Sequence, residues 1–146
     1  MSITVDKLIK REPIVISENA TVRDAVNLMA RENVGLLVIV NNAGKPIGVI
    51  SERDVIRALA SGKDLNARVT EVGTVGRLIT ISPSDSIYKA ALLMNDNKIR
   101  HLVVMDGDKL RGVISIRDII SEERIVSRLA ELAEARPETE AVGGAD

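Results

Sequence analysis

The sequence has no cysteine, tryptophan or phenylalanine, one tyrosine and one histidine in 146 residues. The missing cysteines exclude disulfides, iron–sulfur clusters, thiolate zinc sites and cysteine nucleophiles. A single histidine allows no multi-histidine metal site, and any serine–histidine–aspartate relay would rest on that one residue. Base stacking of the kind that single-strand binders use lacks its aromatic platforms. Net charge is nearly absent too: 20 basic and 21 acidic residues give −1, so no bulk field draws the chain to nucleic acid or to an anionic membrane. No apolar run approaches the ~18 residues of a membrane helix, and the N-terminus lacks the apolar stretch of a signal peptide. The expectation is a cytoplasmic globular chain with no metal and no catalytic cofactor.

What is present is aliphatic. Hydrophobic residues make up 45%, nearly all Val, Ile, Leu, Met and Ala, which excludes disorder of the whole chain. These residues are arranged twice. Residues 14–40 align with residues 79–105 at an offset of 65, with eight of 27 positions identical, among them Ser17/Ser82, Ala25/Ala90 and Met29/Met94. After a one-residue slip, GVISERDVI at 48–56 matches GVISIRDII at 112–120 at seven of nine positions. Unrelated sequences would share roughly one position in 15, so the chain is a duplication. The slip falls between Asn41-Asn42-Ala43-Gly44 and Asp106-Gly107-Asp108, where a tight turn absorbs a residue.

Each copy reads as β-α-β-β-α. Ile14-Val15-Ile16 and Ile79-Thr80-Ile81 are short strands. Val22, Ala25 and Met29, like Ile87, Ala90 and Met94, recur at helical spacing, with Thr21 or Asn19 and Asp85 or Ser86 as caps. Residues 36–40 and 102–105 are buried strands, residues 47–50 and 110–114 their hairpin partners, and a helix starts at Ser51 and at Ser115. A unit of about 50 residues buries too little to stand comfortably alone. The fold class is therefore α/β (α+β): two such repeats related by a pseudo-twofold axis, sheets packed together, plus a C-terminal helix. The boundaries are a first motif at 1–61, a linker at 62–78 that echoes residues 3–10, and a second motif at 79–122. Residues 123–146 form a C-terminal helix, with Ile125, Leu129 and Leu132 on one stripe, and a mobile acidic tail.

Tandem repeats of this form, each closing with Gly-Val-Ile-Ser-x-Arg-Asp where the hairpin meets the helix, resemble a CBS-domain pair (a Bateman module) of the stand-alone prokaryotic or archaeal type. The resemblance spans about residues 1–122. It implies a non-catalytic regulatory module that binds AMP, ADP or ATP, or S-adenosylmethionine, in clefts between the repeats. It further implies a homodimer, a flat disc in such families, that signals to a regulated protein. Some CBS pairs bind nucleic acid; the balanced charge and missing aromatics argue against it here.

The signature residues carry chemistry suited to that ligand. Asp54 and Asp118 each offer a carboxylate that can accept from both vicinal hydroxyls of a ribose. Ser51 and Ser115 stand at helix N-termini, where unpaired amides cradle phosphate, with Arg53 and Arg117 nearby as phosphate partners. Ser-x-x-Asp is equally a capping box, so these residues also have a purely local use. Arg100 and His101 lead into the second repeat's buried strand; the family often has His-Arg here, whereas this chain has Arg-His. The first repeat has Val34 and Gly35 instead, so the two clefts differ. The resemblance places Arg100 and His101 with Ser51 and Asp54, and Gly35 with Ser115 and Asp118, which predicts the more phosphorylated ligand in the Asp54 cleft. Val49, Val113, Ile99 and Val34 are expected walls for adenine, and Ser17 and Ser82 are ligand contacts or turn formers. The competing expectation is a ligand-free interaction module working through its exposed faces and the C-terminal helix.

Overall fold

The computed structural model describes residues 3–135. The first repeat runs β1 (Val15–Ser17), α1 (Val22–Glu32), β2 (Leu36–Val40), β3 (Pro46–Ser51) and α2 (Glu52–Ala60). A connecting stretch holds α3 (Val69–Val72) and β4 (Thr74–Val75). The second repeat follows as β5 (Thr80–Ile81), α4 (Ile87–Asn97), β6 (His101–Asp106), β7 (Lys109–Ser115) and α5 (Ile116–Ile120), and then comes α6 (Glu123–Glu134). The expected β-α-β-β-α order is present twice. In each repeat the first two strands are parallel and the hairpin antiparallel, giving sheets β1-β2-β3-β4 and β5-β6-β7. The hairpins bulge at equivalent places, Ile39/Val40 and Val104/Met105, and turn through Gly44 and Gly107 at positive φ.

Between the caps left open by the sequence, the structure selects Thr21, which accepts from the Asp24 amide, and Ser86, which accepts from the Lys89 amide. Asn19 lies in the preceding turn, and Asp85 instead accepts from the Ser82 amide. α1 and α4 both stop on a left-handed residue, Asn33 and Lys98, each at φ 55°. Such a conformation suits asparagine far better than lysine.

Two cores result, one per repeat. Leu37, Ile39 and Ile50 of the first sheet pack under Val22, Ala25 and Met29 of α1, and Leu102, Val104 and Ile114 under Ile87, Ala90 and Met94 of α4. Each core is finished by a segment lying just before the other repeat. Val69 of α3 completes the first core, whereas Val5 and Leu8 of an N-terminal 3-10 helix (Val5–Leu8) complete the second. Backbone bonds clamp the two segments alike: Val22 N–H to Ala67 and Val69 N–H to Ala20, against Ile87 N–H to Ile3 and Val5 N–H to Asp85. The expected echo between the linker and the N-terminal segment thus takes the form of an exchange.

The alternation of the middle strands assigns the opposite faces. Val38 and Val103 are buried yet belong to neither helix-covered core, so they lie where the two sheets meet. The C-terminal helix starts at Glu123, where a break in the chain at Ser121 and Glu122 separates it from α5. Of its expected stripe, Ile125 packs on the second core while Leu129 and Leu132 remain exposed. The tail expected after residue 135 lies outside the described residues.

Candidate functional site

The site begins at two helix starts. Ser51 Oγ accepts from the Asp54 amide at 3.1 Å, and Asp54 Oδ2 accepts from the Ser51 amide at 2.8 Å. Ser115 and Asp118 repeat this at 3.2 and 2.8 Å. Both are complete capping boxes, so the local use expected of Ser-x-x-Asp is real. A third box, Thr21 with Asp24, has the same geometry, and the Thr21 amide holds the Asp24 carboxyl below its ordinary value. That third box borders neither of the hollows described below. A capping box therefore does not define a site; its surroundings do.

Asp54 and Asp118 each border a hollow of their own. One, of about 420 Å3, is lined by Ser51, Arg53, Asp54 and Val49 of the first repeat together with Ile99, Arg100 and His101 of the second. The other, of about 410 Å3, is lined by Ser115, Arg117, Asp118 and Val113 together with Val34 and Gly35. Both volumes fall in the range of small-molecule sites. In each carboxylate Oδ2 is occupied by the capping bond, and Oδ1 makes no hydrogen bond among the described residues. One oxygen holds the helix start, and the other is left to bind.

The hollows are not walled off from each other. Gly35, Leu36, Glu52, Arg100 and His101 border both. The reason is a backbone tie in each repeat: the Glu52 amide donates to Gly35 O at 2.9 Å, and the Ile116 amide donates to Arg100 O at 2.8 Å. Each helix start is thereby fastened to the segment that leads into its own middle strand, and the facing sheets bring the two segments together. Half-buried His101 feels this environment. Burial pushes its imidazole below the ordinary histidine value and Arg100 adds to the push, while the Asp118 and Glu52 carboxylates oppose it.

Ser17 and Ser82 border neither hollow. Their hydroxyls serve turns, Ser17 Oγ accepting from the Asn19 amide and Ser82 Oγ pairing with Ser84. Several cations outside the repeated motif also line the hollows. Arg57, Arg77 and Lys98 join Arg53 and Arg100 around Asp54, opposed only by Glu52 and Asp54. Around Asp118 stand Lys10, Arg11, Arg100 and Arg117, opposed by Glu12, Glu52 and Asp118, and Arg11 is tied to Glu32 at 2.7 Å. Arg57 was findable, one helical turn from Asp54 on the same face. Arg77 was not, because its position depends on how the connecting stretch folds over the sheet. Among the described residues no cluster of three or more His, Cys, Asp or Glu could hold a metal ion, and no helix is long and apolar enough to cross a membrane.

The family model for the CBS domain matches residues 5–61 and 69–124. A CBS domain-containing mitochondrial protein of Arabidopsis thaliana is 36% identical over 107 residues, covering 68% of this chain and 51% of its own. The chain spans about half, or less, of the length of the first curated relatives it matches. Among solved structures, a CBS domain protein of Pyrobaculum aerophilum in complex with AMP superposes with a TM-score of 0.81 at 36% identity, covering 88% of this chain and 99% of its own. The CBS domain pair of protein MJ0100, in complex with 5-methylthioadenosine and S-adenosyl-L-methionine, gives 0.76 at 25% identity, covering 91% and 99%.

Proposed function

The chain belongs to the CBS-domain family, with two CBS domains in tandem, and from that premise we propose that it is a regulatory module that binds adenine nucleotides (AMP, ADP or ATP) in the two hollows between its repeats. The observation that carries this reading is the company Asp54 keeps: a carboxylate with one uncommitted oxygen, in a hollow that holds five cations, Arg53, Arg57, Arg77, Lys98 and Arg100. A carboxylate grips vicinal hydroxyls through charge-assisted bonds, and guanidinium groups grip phosphate in the same way. Val49 and Ile99 offer apolar walls for the base. The ligands of the two solved relatives, AMP in one and two adenosyl sulfur compounds in the other, share an adenosine. The less cationic Asp118 hollow suits the poorly charged members of that set, S-adenosylmethionine included.

The role is binding and signalling rather than catalysis. A nucleotide changes the arrangement of the repeats, or of a homodimer, only if it binds two arrangements unequally, and a regulated protein reads the difference. Calorimetry of the full chain with AMP, ADP, ATP and S-adenosylmethionine tests the reading. Saturable binding of at least one is expected, and none at millimolar concentration would sink it. Asp54→Asn should weaken the bound nucleotide by about tenfold or more, the equivalent of one charged hydrogen bond. Its folding stability should fall by no more than a lost cap explains, about 1 kcal/mol. A purely structural Asp54 would reverse that order.

A second reading, an interaction module without ligand, draws on α6, whose Val126, Leu129 and Leu132 lie uncovered. Truncation after residue 122 separates the two. Loss of self-association or of a partner, in a chain that binds no nucleotide at all, favours the second.

A further inference from the structure

The duplication allows each wall of one hollow to be compared with its counterpart in the other. At an offset of 65, Arg77 corresponds to Glu12, Lys98 to Asn33, and Arg100 to Gly35; at an offset of 64, Arg57 corresponds to Ser121. The structure supports the alignment, since Lys98 and Asn33 are both left-handed helix ends at φ 55°. Four of the five cations around Asp54 thus have no cationic counterpart in the other repeat, Arg53 with Arg117 being the exception. Only one of the four replacements reverses the charge.

That position opens a corresponding run along each hollow, although Lys10 and Arg11 before Glu12 also line theirs and Val75 and Gly76 before Arg77 do not. Glu12 opens the run Glu12-Pro13-Ile14 along the Asp118 hollow, and Arg77 opens Arg77-Leu78-Ile79 along the Asp54 hollow. Both residues are exposed at the rim. Among the described residues neither takes part in an ion pair, whereas neighbouring Arg11 is engaged by Glu32. Their charges are therefore available to whatever enters. A rim charge acts on the charged end of a ligand and leaves its neutral body alone.

We infer that residues 12 and 77 sort ligands between the hollows by charge. Arg77 adapts the Asp54 hollow to a nucleoside di- or triphosphate. Glu12 turns polyphosphates away from the Asp118 hollow and leaves it to an adenosine with little or no negative charge. The inference rests on the nucleotide reading above and adds which residues set the specificity. Neither residue belongs to the repeated signature; both lie in the segments that precede the first strands.

The test uses the full chain in EDTA, so that no divalent cation masks the phosphates, with AMP and ATP as calorimetric probes. In an Asp118→Asn background, which confines ligand to the Asp54 hollow, Arg77→Glu should weaken ATP on the order of tenfold and AMP by less than about threefold. In an Asp54→Asn background, Glu12→Arg should strengthen ATP by a similar factor with little change for AMP. Raising the salt should shrink both effects. An ATP-to-AMP affinity ratio that neither substitution moves, or a parallel loss of both nucleotides, overturns the sorting while the nucleotide reading stands. A chain without these substitutions that binds neither probe at millimolar concentration overturns the nucleotide reading, and the sorting with it.

Discussion

His101 borders both hollows, and its protonation has a defined effect on stability. Burial and Arg100 lower its pKa from the ordinary 6.5, against the pull of Asp118 and Glu52. Below 6.5 the unfolded chain therefore binds this proton more readily than the folded one does. Stability falls as the pH drops from neutrality through 6.5 towards the depressed folded value. The carboxyls held low by backbone amides, Asp24 and Asp85, lose their contribution only at more acidic pH, around and below their ordinary 3.8. Melting curves between pH 7 and 5 should thus show a decline that His101→Asn reduces; equal slopes in the two proteins would contradict this account. At this scale much of the site was legible. Ser51, Asp54 and Arg53 announce themselves through a repeated motif, and a capping box is local chemistry over four residues. Ser17 and Ser82 show the limit. They are identical between repeats because both end a strand in a turn, and identity alone does not separate turn from ligand contact.

Among the elements, β3 and β7 carry the same Gly-Val-Ile-Ser but face different neighbours. A Cβ on Gly48 would stand 2.2 Å from the Thr74 carbonyl oxygen of β4, a backbone atom with nowhere to go. A Cβ on Gly112 would meet the Ile9 side chain at 2.9 Å, and that side chain can shift. Gly48→Ala should therefore cost about 3 kcal/mol or more, and Gly112→Ala about 1 kcal/mol. Denaturant titration of the two variants checks the order, and equal losses would show that β4 yields as readily as a side chain. The difference follows from the connecting stretch: residues 74–75 pair with β3 as a fourth strand, while the second sheet stops at three. Strand type and helix starts were readable from alternation and caps, because both depend on neighbours within a few residues. A two-residue edge strand carries no periodicity to read.

The whole molecule is held by an exchange of segments. Leu8 is buried in the second repeat's core and Val69 in the first's, although each precedes the opposite repeat. Leu8→Ala should cost about 2 to 5 kcal/mol and raise hydrogen exchange first in α4 and β5–β7. Val69→Ala should raise it first in α1 and β1–β3. Exchange that rises equally everywhere after both substitutions would mean that the two cores open as one unit. The amino-acid sequence by itself determined the duplication, the β-α-β-β-α order, the capping boxes at Ser51 and Ser115 and the signature residues around Asp54 and Asp118, since all of these are set by residues a turn or a strand apart. Only the tertiary structure decided which segment closes which core, that Gly35, Arg100 and His101 are shared by two hollows, and that Arg77 and Glu12 stand at corresponding rims. Those relations join residues tens of positions apart. They come from two apolar sheet faces burying against each other, a contact that no local pattern encodes.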